Sequence, residues 1–265
     1  VKASEKVIKM RLYSNYKENL TNIETRKAQT GLVKLDSNEN PFGPPFSLDD
    51  ISSIFKDINR YPDPSNSLLL YTLSKKLEIS PDYLLIGSGS DELLDLIIRS
   101  YTDKNDALLT VSPTFSMYDI YAQINEIKNV SIPMILNIDE NLNLANYSVS
   151  KRKFISKLPD SKIAILGRPN NPDGSLIGEK VITKILEEEI LLILDEAYIE
   201  FSQRESLYNL VRKYSNLIVL RTFSKAYGLA GLRLGYAIMD PSLRKNISVI
   251  KSPYNVNRIA LEAGI

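Results

Sequence analysis

The chain has 265 residues, of which 43% are hydrophobic and 25% are charged, values typical of a soluble globular protein with a sizeable core. Its 33 Lys and Arg against 32 Asp and Glu argue against nucleic acid or an anionic membrane surface as the main partner. The sequence contains neither cysteine nor histidine, which excludes disulfides, thiol catalysis, His-dependent triads and metal sites built on these residues, so no metal is predicted.

Membrane and targeting signals are not apparent in the sequence. No apolar run approaches the roughly 20 residues that span a bilayer, and the first residues have no signal-peptide core. These features predict a cytoplasmic protein. Residues 10–22 are interpreted as a short amphipathic helix or an arm.

Short apolar runs alternate with stretches of helical period along most of the chain. The runs, predicted as strands, are 83–86, 107–111, 132–136, 163–166, 190–194, 217–220 and 232–238. The predicted helices are 91–101, 115–125, 179–189 and 205–214. This alternation predicts an α/β fold with a mostly parallel, seven-stranded sheet flanked by helices. Ligands bind such sheets beyond the carboxyl ends of the strands, so the residues after each run are candidates for function.

A glycine-rich turn follows the first run and opens a predicted helix. Gly87 and Gly89 allow a tight turn, and the amides of Ser90 and Asp91 in the first helical turn suit an anion such as phosphate. The alternative is an ordinary capped helix start, because Ser88 and Asp91 have the spacing of a capping box.

Lys225 follows a predicted buried strand and precedes an apolar stretch of small residues. A desolvated lysine has a lowered pKa and is a nucleophile able to form a Schiff base. Around it, Thr222, Ser224 and Arg233 form a candidate phosphate site of two hydroxyls and a guanidinium. The alternative for a lone lysine is a solvated surface charge.

Three further strand ends carry candidate ligand groups. Asp195 follows a buried run, where a carboxylate needs a cationic partner such as a protonated heterocyclic nitrogen; the alternative is a surface charge or a helix cap. Asn171, followed by Pro172 and then Gly174, predicts a type I turn that also offers an amide donor. Phe115 adds an aromatic face.

All these groups fall on one edge of one predicted sheet. A lysine suits the aldehyde of pyridoxal 5′-phosphate, and an acid suits its pyridine nitrogen. Amide and hydroxyl donors suit its phenolic oxygen and phosphate, and an aromatic ring stacks on it. The combination therefore predicts a pyridoxal-phosphate site, although each group alone has an ordinary structural interpretation.

The sequence resembles the fold-type I pyridoxal-phosphate enzymes, and among them the histidinol-phosphate aminotransferase family in particular. The resembling segments occur in family order and cover nearly the whole chain after the first part. They are 38–43, 61–64, 89–92, 113–115, 170–174, 195–198, 222–225, 229–235 and 252–257.

The resemblance implies roles for the candidate residues around the cofactor ring. Lys225 would bind the cofactor covalently and then move a proton between the substrate Cα and the cofactor C4′. Asp195 would pair with the pyridinium nitrogen, and Phe115 would stack on the ring. Asn171 and Tyr198 would donate hydrogen bonds to the phenolic oxygen.

The resemblance also implies how the phosphate is held and how subunits assemble. The phosphate ligands would be the backbone amides of Ser90 and Asp91 together with Thr222, Ser224 and Arg233. Tyr61 would reach the phosphate of the neighbouring subunit's cofactor, because family members are homodimers with the site at the interface.

The reaction implied by the resemblance is amino transfer between histidinol phosphate and 2-oxoglutarate, a step of histidine biosynthesis. The alternatives on the same scaffold are a threonine-phosphate decarboxylase-like lyase and an aromatic or broad-specificity aminotransferase. A non-enzymatic homologue is a further alternative, against which the intact Lys225, Asp195 and Arg233 count.

Two departures from the family pattern lie in the resembling segments: Phe115 stands where tyrosine is usual, and Asp173 where threonine is usual. In the family, a C-terminal small domain beyond the position of Ile265 carries the arginines that bind substrate. We accordingly expect residues 1–60 to form an N-terminal arm and part of the small domain, and residues 61–250 to form the large cofactor-binding domain. Residues 251–265 would start the connection to the C-terminal small domain.

Overall fold

The computed structural model describes residues 35–47, 55, 57–139, 144–188 and 190–265. The segment 10–22, interpreted above as a helix or an arm, lies outside these residues, and so does most of the expected arm over residues 1–60. The division into domains stays a prediction. Within the described ranges, no helix is long and apolar enough to cross a membrane, and the predicted compartment stays a prediction.

In the part of the chain that the structure describes, nine strands form one large sheet and one separate hairpin. In chain order they are β1 (Leu84–Gly87), β2 (Ala107–Ser112), β3 (Lys128–Pro133), β4 (Ile135–Asp139), β5 (Leu144–Ser148), β6 (Ile163–Gly167), β7 (Leu191–Asp195), β8 (Leu217–Thr222) and β9 (Gly235–Met239). The large sheet has the order β1-β9-β8-β7-β6-β2-β3, while β4 and β5 pair with each other and with no other described strand.

The large sheet is mostly parallel, as predicted. The pairs β2–β3, β2–β6, β6–β7 and β7–β8 are parallel, and β9 runs antiparallel to its neighbours β1 and β8. Gly235, which begins β9, is therefore paired with Gly87 and Thr222, which end β1 and β8. Residues just before β9 lie at the same sheet edge as residues just after the other strands.

Helices cover both faces of the sheet. They are α1 (Ser67–Leu77), α2 (Gly89–Tyr101), α3 (Met117–Ile124), α4 (Lys151–Ile155), α5 (Glu179–Leu186), α6 (Pro241–Ile250) and α7 (Arg258–Ala263). Successive strand residues point to opposite faces, so Leu192 and Leu194 of β7 join one buried cluster while Leu191 and Ile193 join the other. With both faces buried, the carboxyl-end edge of the sheet is where a ligand has access.

Two predicted elements differ from the structure. The predicted strand 132–136 is wrong, because the sheet strand β3 ends at Pro133 and the exposed residues after it begin the separate hairpin. The predicted helix 205–214 is only a short 3₁₀ helix, Tyr208–Arg212. At its entry, the Leu207 N–H donates to Glu196 Oε1 at 3.0 Å.

Candidate active site

One cavity of about 330 Å³ opens at the carboxyl-end edge of the sheet. Every residue predicted for the site except Tyr61 lies in its wall. These residues are Ser90, Asp91, Phe115, Asn171, Asp195, Tyr198, Thr222, Ser224, Lys225 and Arg233. Segments that are far apart in the sequence thus meet at one place because the parallel strands end there.

Asp195 ends β7 and lies in the wall of this cavity. Its Oδ2 accepts a hydrogen bond from the Tyr118 hydroxyl at 2.9 Å, and its Oδ1 accepts one from the Ala197 N–H at 3.0 Å. Neither of these donors is a cation. Burial raises the pKa of Asp195 to about 6, although both hydrogen bonds oppose that rise. A cation in the cavity beside Asp195 would be strongly favoured.

Lys225 lies in the loop after β8, on the same side of the cavity as Tyr198. Its Nζ donates to the Ser37 carbonyl at 2.6 Å and lies 5.7 Å from the centre of the Tyr198 ring. The Tyr198 hydroxyl in turn accepts a hydrogen bond from Asn38 Nδ2 at 3.1 Å. The segment around residue 38 therefore packs over the lysine and the tyrosine and helps to enclose them.

The cavity wall also provides an aromatic face and an amide. Phe115 lies just before α3 and meets the Tyr118 ring edge-on, with 5.6 Å between ring centres and an angle of 89°. Asn171 lies in the loop after β6 and contributes to the same wall.

A group of hydroxyls, backbone amides and a guanidinium occupies another end of the cavity. Arg233 Nη2 lies 3.0 Å from Asp91 Oδ2, and Arg233 Nη1 lies 3.4 Å from Ser224 Oγ. Thr222 Oγ1 accepts a hydrogen bond from the Ser224 N–H at 3.1 Å. Together with the N-terminus of α2, these donors form a site suited to a phosphate.

Two glycines allow the start of β9, the start of α2 and Arg233 to pack closely at this site. A Cβ at Gly235 would lie 2.6 Å from the Ser90 backbone nitrogen, so only glycine lets the start of β9 pack against the start of α2. Gly89 has a φ of +79°, and a Cβ there would lie 2.7 Å from Arg233 Nη2. A side chain at Gly89 would displace the guanidinium, and one at Gly235 would push against the backbone of Gly89 and Ser90.

One alternative and one prediction about the loops are wrong. The capping box of Ser88 and Asp91 does not form, because the Ser88 N–H donates to Glu92 Oε2 at 2.6 Å while Asp91 pairs with Arg233. The type I turn predicted from Asn171 is also wrong. Instead, the Gly174 N–H bonds to the carbonyl of Asn170, whose side chain is held by Thr114 and Pro113.

Tyr61 does not line the cavity. It is 78% exposed, and its ring stacks on that of Tyr254 with 4.5 Å between ring centres. Its expected role at the cofactor of a neighbouring subunit stays a prediction. The stack does show that the 61–64 and 252–257 segments, both singled out from the sequence, meet on the surface.

The sequence interpretation missed several residues around the cavity. Tyr118, Ser37 and Glu39 line its wall. Behind the wall, Glu196 is fully buried between two arginines, with Oε1 3.3 Å from Arg168 Nη1 and Oε2 3.6 Å from Arg221 Nη1. The signal for Tyr118 was its position three residues after Phe115 in the predicted helix 115–125, a spacing that places side chains on one helical face.

A second cavity of about 730 Å³ adjoins the first and shares Glu39, Asn171, Tyr198 and Lys225 with it. The residues that line only the second cavity include Phe42, Leu176 and Phe201, which are largely exposed apolar side chains. Lys225 therefore has access to both cavities, whose combined volume is larger than that of the first cavity alone.

The sequence matches the family model of the class I and II aminotransferases over residues 30–264. It is 44% identical over 239 residues to a protein of Arabidopsis thaliana named histidinol-phosphate aminotransferase 1, chloroplastic. That alignment covers 88% of this chain and 56% of the relative. A histidinol-phosphate aminotransferase of Caldanaerobacter subterraneus subsp. tengcongensis is 39% identical over 237 residues, covering 86% of this chain and 65% of the relative.

The fold is similar to a solved structure of histidinol-phosphate aminotransferase from Sinorhizobium meliloti in complex with pyridoxal-5′-phosphate. The TM-score is 0.83 and the sequence identity 25%, with 99% of this chain and 70% of that chain covered. The chain spans little more than half the length of the plant relative.

Proposed function

The chain belongs to the class I and II aminotransferases, and from this membership we propose that it is part of a pyridoxal-phosphate-dependent aminotransferase acting on histidinol phosphate and 2-oxoglutarate. The observation that carries the proposal is the cavity itself. It holds a buried acid with no cation among its bonded partners, a lysine, and a group of anion-binding donors. The names of the relatives support the substrate.

The charges of the residues present complement those of the cofactor at its ring nitrogen and at its phosphate. Asp195 needs a cation, which a protonated pyridine nitrogen supplies, and the α2 N-terminus with Arg233 needs an anion, which the phosphate supplies. Gly89 and Gly235 allow Arg233 and the start of α2 to pack closely at the anion-binding end, where a Cβ would intrude. When bound, pyridoxal phosphate supplies an electron sink that stabilises negative charge on the substrate Cα.

The residues of the chain would hold and orient this cofactor. Lys225 would attach to it covalently, and Phe115 would pack on its ring. Asn171 and Tyr198 would donate to its phenolic oxygen, which is consistent with their place in the wall beside Lys225. Thr222 and Ser224, with the amides of Ser90 and Asp91, would join Arg233 at the phosphate.

Lys225 would also serve as the base once the substrate amine has displaced it. Lys225 lines both cavities, so as a neutral amine it would reach substrate as well as cofactor. It would then take a proton from the substrate Cα and deliver it to C4′ of the cofactor. Ser37 and Tyr198 would restrict its position during this transfer.

We further propose that the protein acts as a homodimer in which Tyr61 reaches the cofactor phosphate of the neighbouring subunit. The exposure of Tyr61 outside its own cavity supports this role. The arginines that bind the substrate's anionic groups are expected in the C-terminal small domain, and their assignment stays a prediction.

The test is a spectrum of the natural protein with pyridoxal phosphate, before and after histidinol phosphate is added. We expect a visible absorbance band that is lost with histidinol phosphate and restored by 2-oxoglutarate. Release of carbon dioxide from threonine phosphate instead would favour the lyase. Conversion of aromatic amino acids at an equal rate would favour a broad-specificity aminotransferase, and failure to bind pyridoxal phosphate would contradict the proposal.

A further inference from the structure

Tyr118 contacts two groups that flank the same proposed cofactor ring. Its hydroxyl donates to Asp195 Oδ2 at 2.9 Å, and its ring meets Phe115 edge-on. The side chain is only 2% exposed and comes from α3, whereas Asp195 comes from β7. A single buried side chain thus links the acid to the aromatic residue, although it was not among the predicted site residues.

We propose that Tyr118 is a positioning residue that orients the Asp195 carboxylate toward the cofactor ring nitrogen and keeps that carboxylate ionised. The proposal rests on the proposed function in one respect, namely that Asp195 faces a pyridine nitrogen. The contact between Tyr118 and Asp195 is itself independent of any cofactor.

The chemistry of its phenol explains why a tyrosine suits the positioning of Asp195. A neutral tyrosine hydroxyl has one proton to donate, and burial together with the charge of Asp195 raises the pKa of Tyr118 well above its usual value of 10. Tyr118 therefore stays neutral and donates to Asp195 at every working pH. A histidine at the same place would titrate near neutrality, but this chain has none.

The two oxygens of Asp195 are held from two directions. Tyr118 holds Oδ2 and the Ala197 N–H holds Oδ1, which fixes the plane of the carboxylate. The other titratable groups that act on this pair are Asp91, Glu196 and Tyr198, and the two acids raise the pKa of Asp195 further. The Tyr118 hydrogen bond counters them, so losing it moves Asp195 toward its protonated form.

The test replaces only the hydroxyl, with Tyr118→Phe, in the natural protein. The matched control is Tyr101→Phe, which removes a hydroxyl that donates to the Leu243 carbonyl at 3.2 Å, at the opposite end of α2 from Asp91. Carbon-13 NMR of cofactor-free protein follows the Asp195 carboxyl, assigned by its loss in Asp195→Asn. We expect the pKa of Asp195 to rise in Tyr118→Phe and to stay unchanged in Tyr101→Phe.

A second readout uses pyridoxal phosphate as the probe. We expect its affinity to fall about tenfold in Tyr118→Phe, and the pH dependence of its bound absorbance to shift, with neither change in Tyr101→Phe. Replacing Tyr118 by 3-fluorotyrosine keeps the shape and makes the hydroxyl a stronger donor, so the pKa of Asp195 should fall. This variant also serves if Tyr118→Phe does not fold.

The outcomes separate the two proposals. If the wild-type protein does not bind pyridoxal phosphate, the proposed function fails, while the NMR titration still tests the contact. If the wild-type protein binds it, and both the Asp195 titration and the affinity are the same in Tyr118→Phe and Tyr101→Phe, the positioning role is overturned. A 3-fluorotyrosine variant that raises the pKa of Asp195 would also contradict it.

Discussion

The Arg233 guanidinium lies 3.0 Å from the Asp91 carboxylate and so joins the start of β9 to the start of α2. Both side chains are nearly half exposed, so the pair contributes little to stability. Its effect is to aim the guanidinium, whose other nitrogen lies near Ser224. Arg233 itself has a φ of +53°, a conformation that is uncommon for residues other than glycine. Such conformations cluster at functional sites.

We predict that Arg233→Lys weakens pyridoxal phosphate binding by tenfold to about a hundredfold, because lysine lacks the planar fork that holds two phosphate oxygens at once. Binding of pyridoxal, which has no phosphate, should change little. Equilibrium titration followed by absorbance measures both affinities. The control is Arg99→Lys, which alters a similar pair with Asp95 at 3.1 Å farther along α2. Equal losses for the two ligands would contradict a phosphate role.

We predict that Lys225→Ala abolishes covalent attachment of pyridoxal phosphate while leaving the fold intact. Borohydride reduction followed by peptide mass spectrometry should find the reduced adduct on Lys225 in the wild type and no adduct in the variant. Lys213→Ala is the control, since Lys213 lies over the Tyr214 ring and outside the cavity. A reduced adduct on any other lysine would overturn the assignment.

Much of the site could be predicted because it follows from strand ends. Asp195 and Lys225 follow buried apolar runs, Asp195 at once and Lys225 within a few residues, and parallel strands bring their carboxyl ends to one edge. Tyr118 could not be predicted in the same way. Its partner Asp195 is 77 residues away, and a tyrosine on an apolar helix face is ordinarily a core residue.

The buried acid behind the cavity shows a second limit of sequence reasoning. Glu196 and Arg221 each adjoin a predicted site residue, and alternation along a strand sends neighbours to opposite sides. Their meeting, however, depends on the register in which Asp195 pairs with Leu220, which no local pattern contains. The strand predicted at 132–136 failed for a local reason, because Pro133 ends one strand and the next begins at Ile135.

We predict that Glu196→Ala destabilises the protein by about 3 kcal/mol, because it leaves the buried Arg168 without its acid, while Arg221 keeps Glu200 at 2.6 Å. Urea unfolding at neutral pH measures the change. Glu187→Ala is the control, since Glu187 pairs with Lys184 on the surface and its loss should cost less than about 0.5 kcal/mol. Similar losses in the two variants would show that the Glu196 ion pairs do not matter.

The raised pKa of Asp195 has a consequence for stability without cofactor. Burial holds that pKa at about 6 in the folded state, against 3.8 for an ordinary aspartate. Between these values the folded state binds more protons than the unfolded state, so stability from this group falls as pH rises from about 4 to about 6. Above about pH 6, the folded state carries the full free-energy cost of burying the ionised Asp195 carboxylate.

We therefore predict that cofactor-free Asp195→Asn is more stable than the cofactor-free wild type at pH 7.5, by about 1–3 kcal/mol, and that the difference shrinks as pH falls toward 4. Denaturant unfolding at several pH values measures it, and the comparison between variants cancels the other titrating groups. Saturating pyridoxal phosphate should reverse the order, because the ring nitrogen then provides the cation that Asp195 lacks and asparagine cannot use. Turnover of the variant should fall by orders of magnitude, since the electron sink weakens without a protonated ring. A wild type that is the more stable protein at pH 7.5 without cofactor would show that Asp195 carries no burial cost.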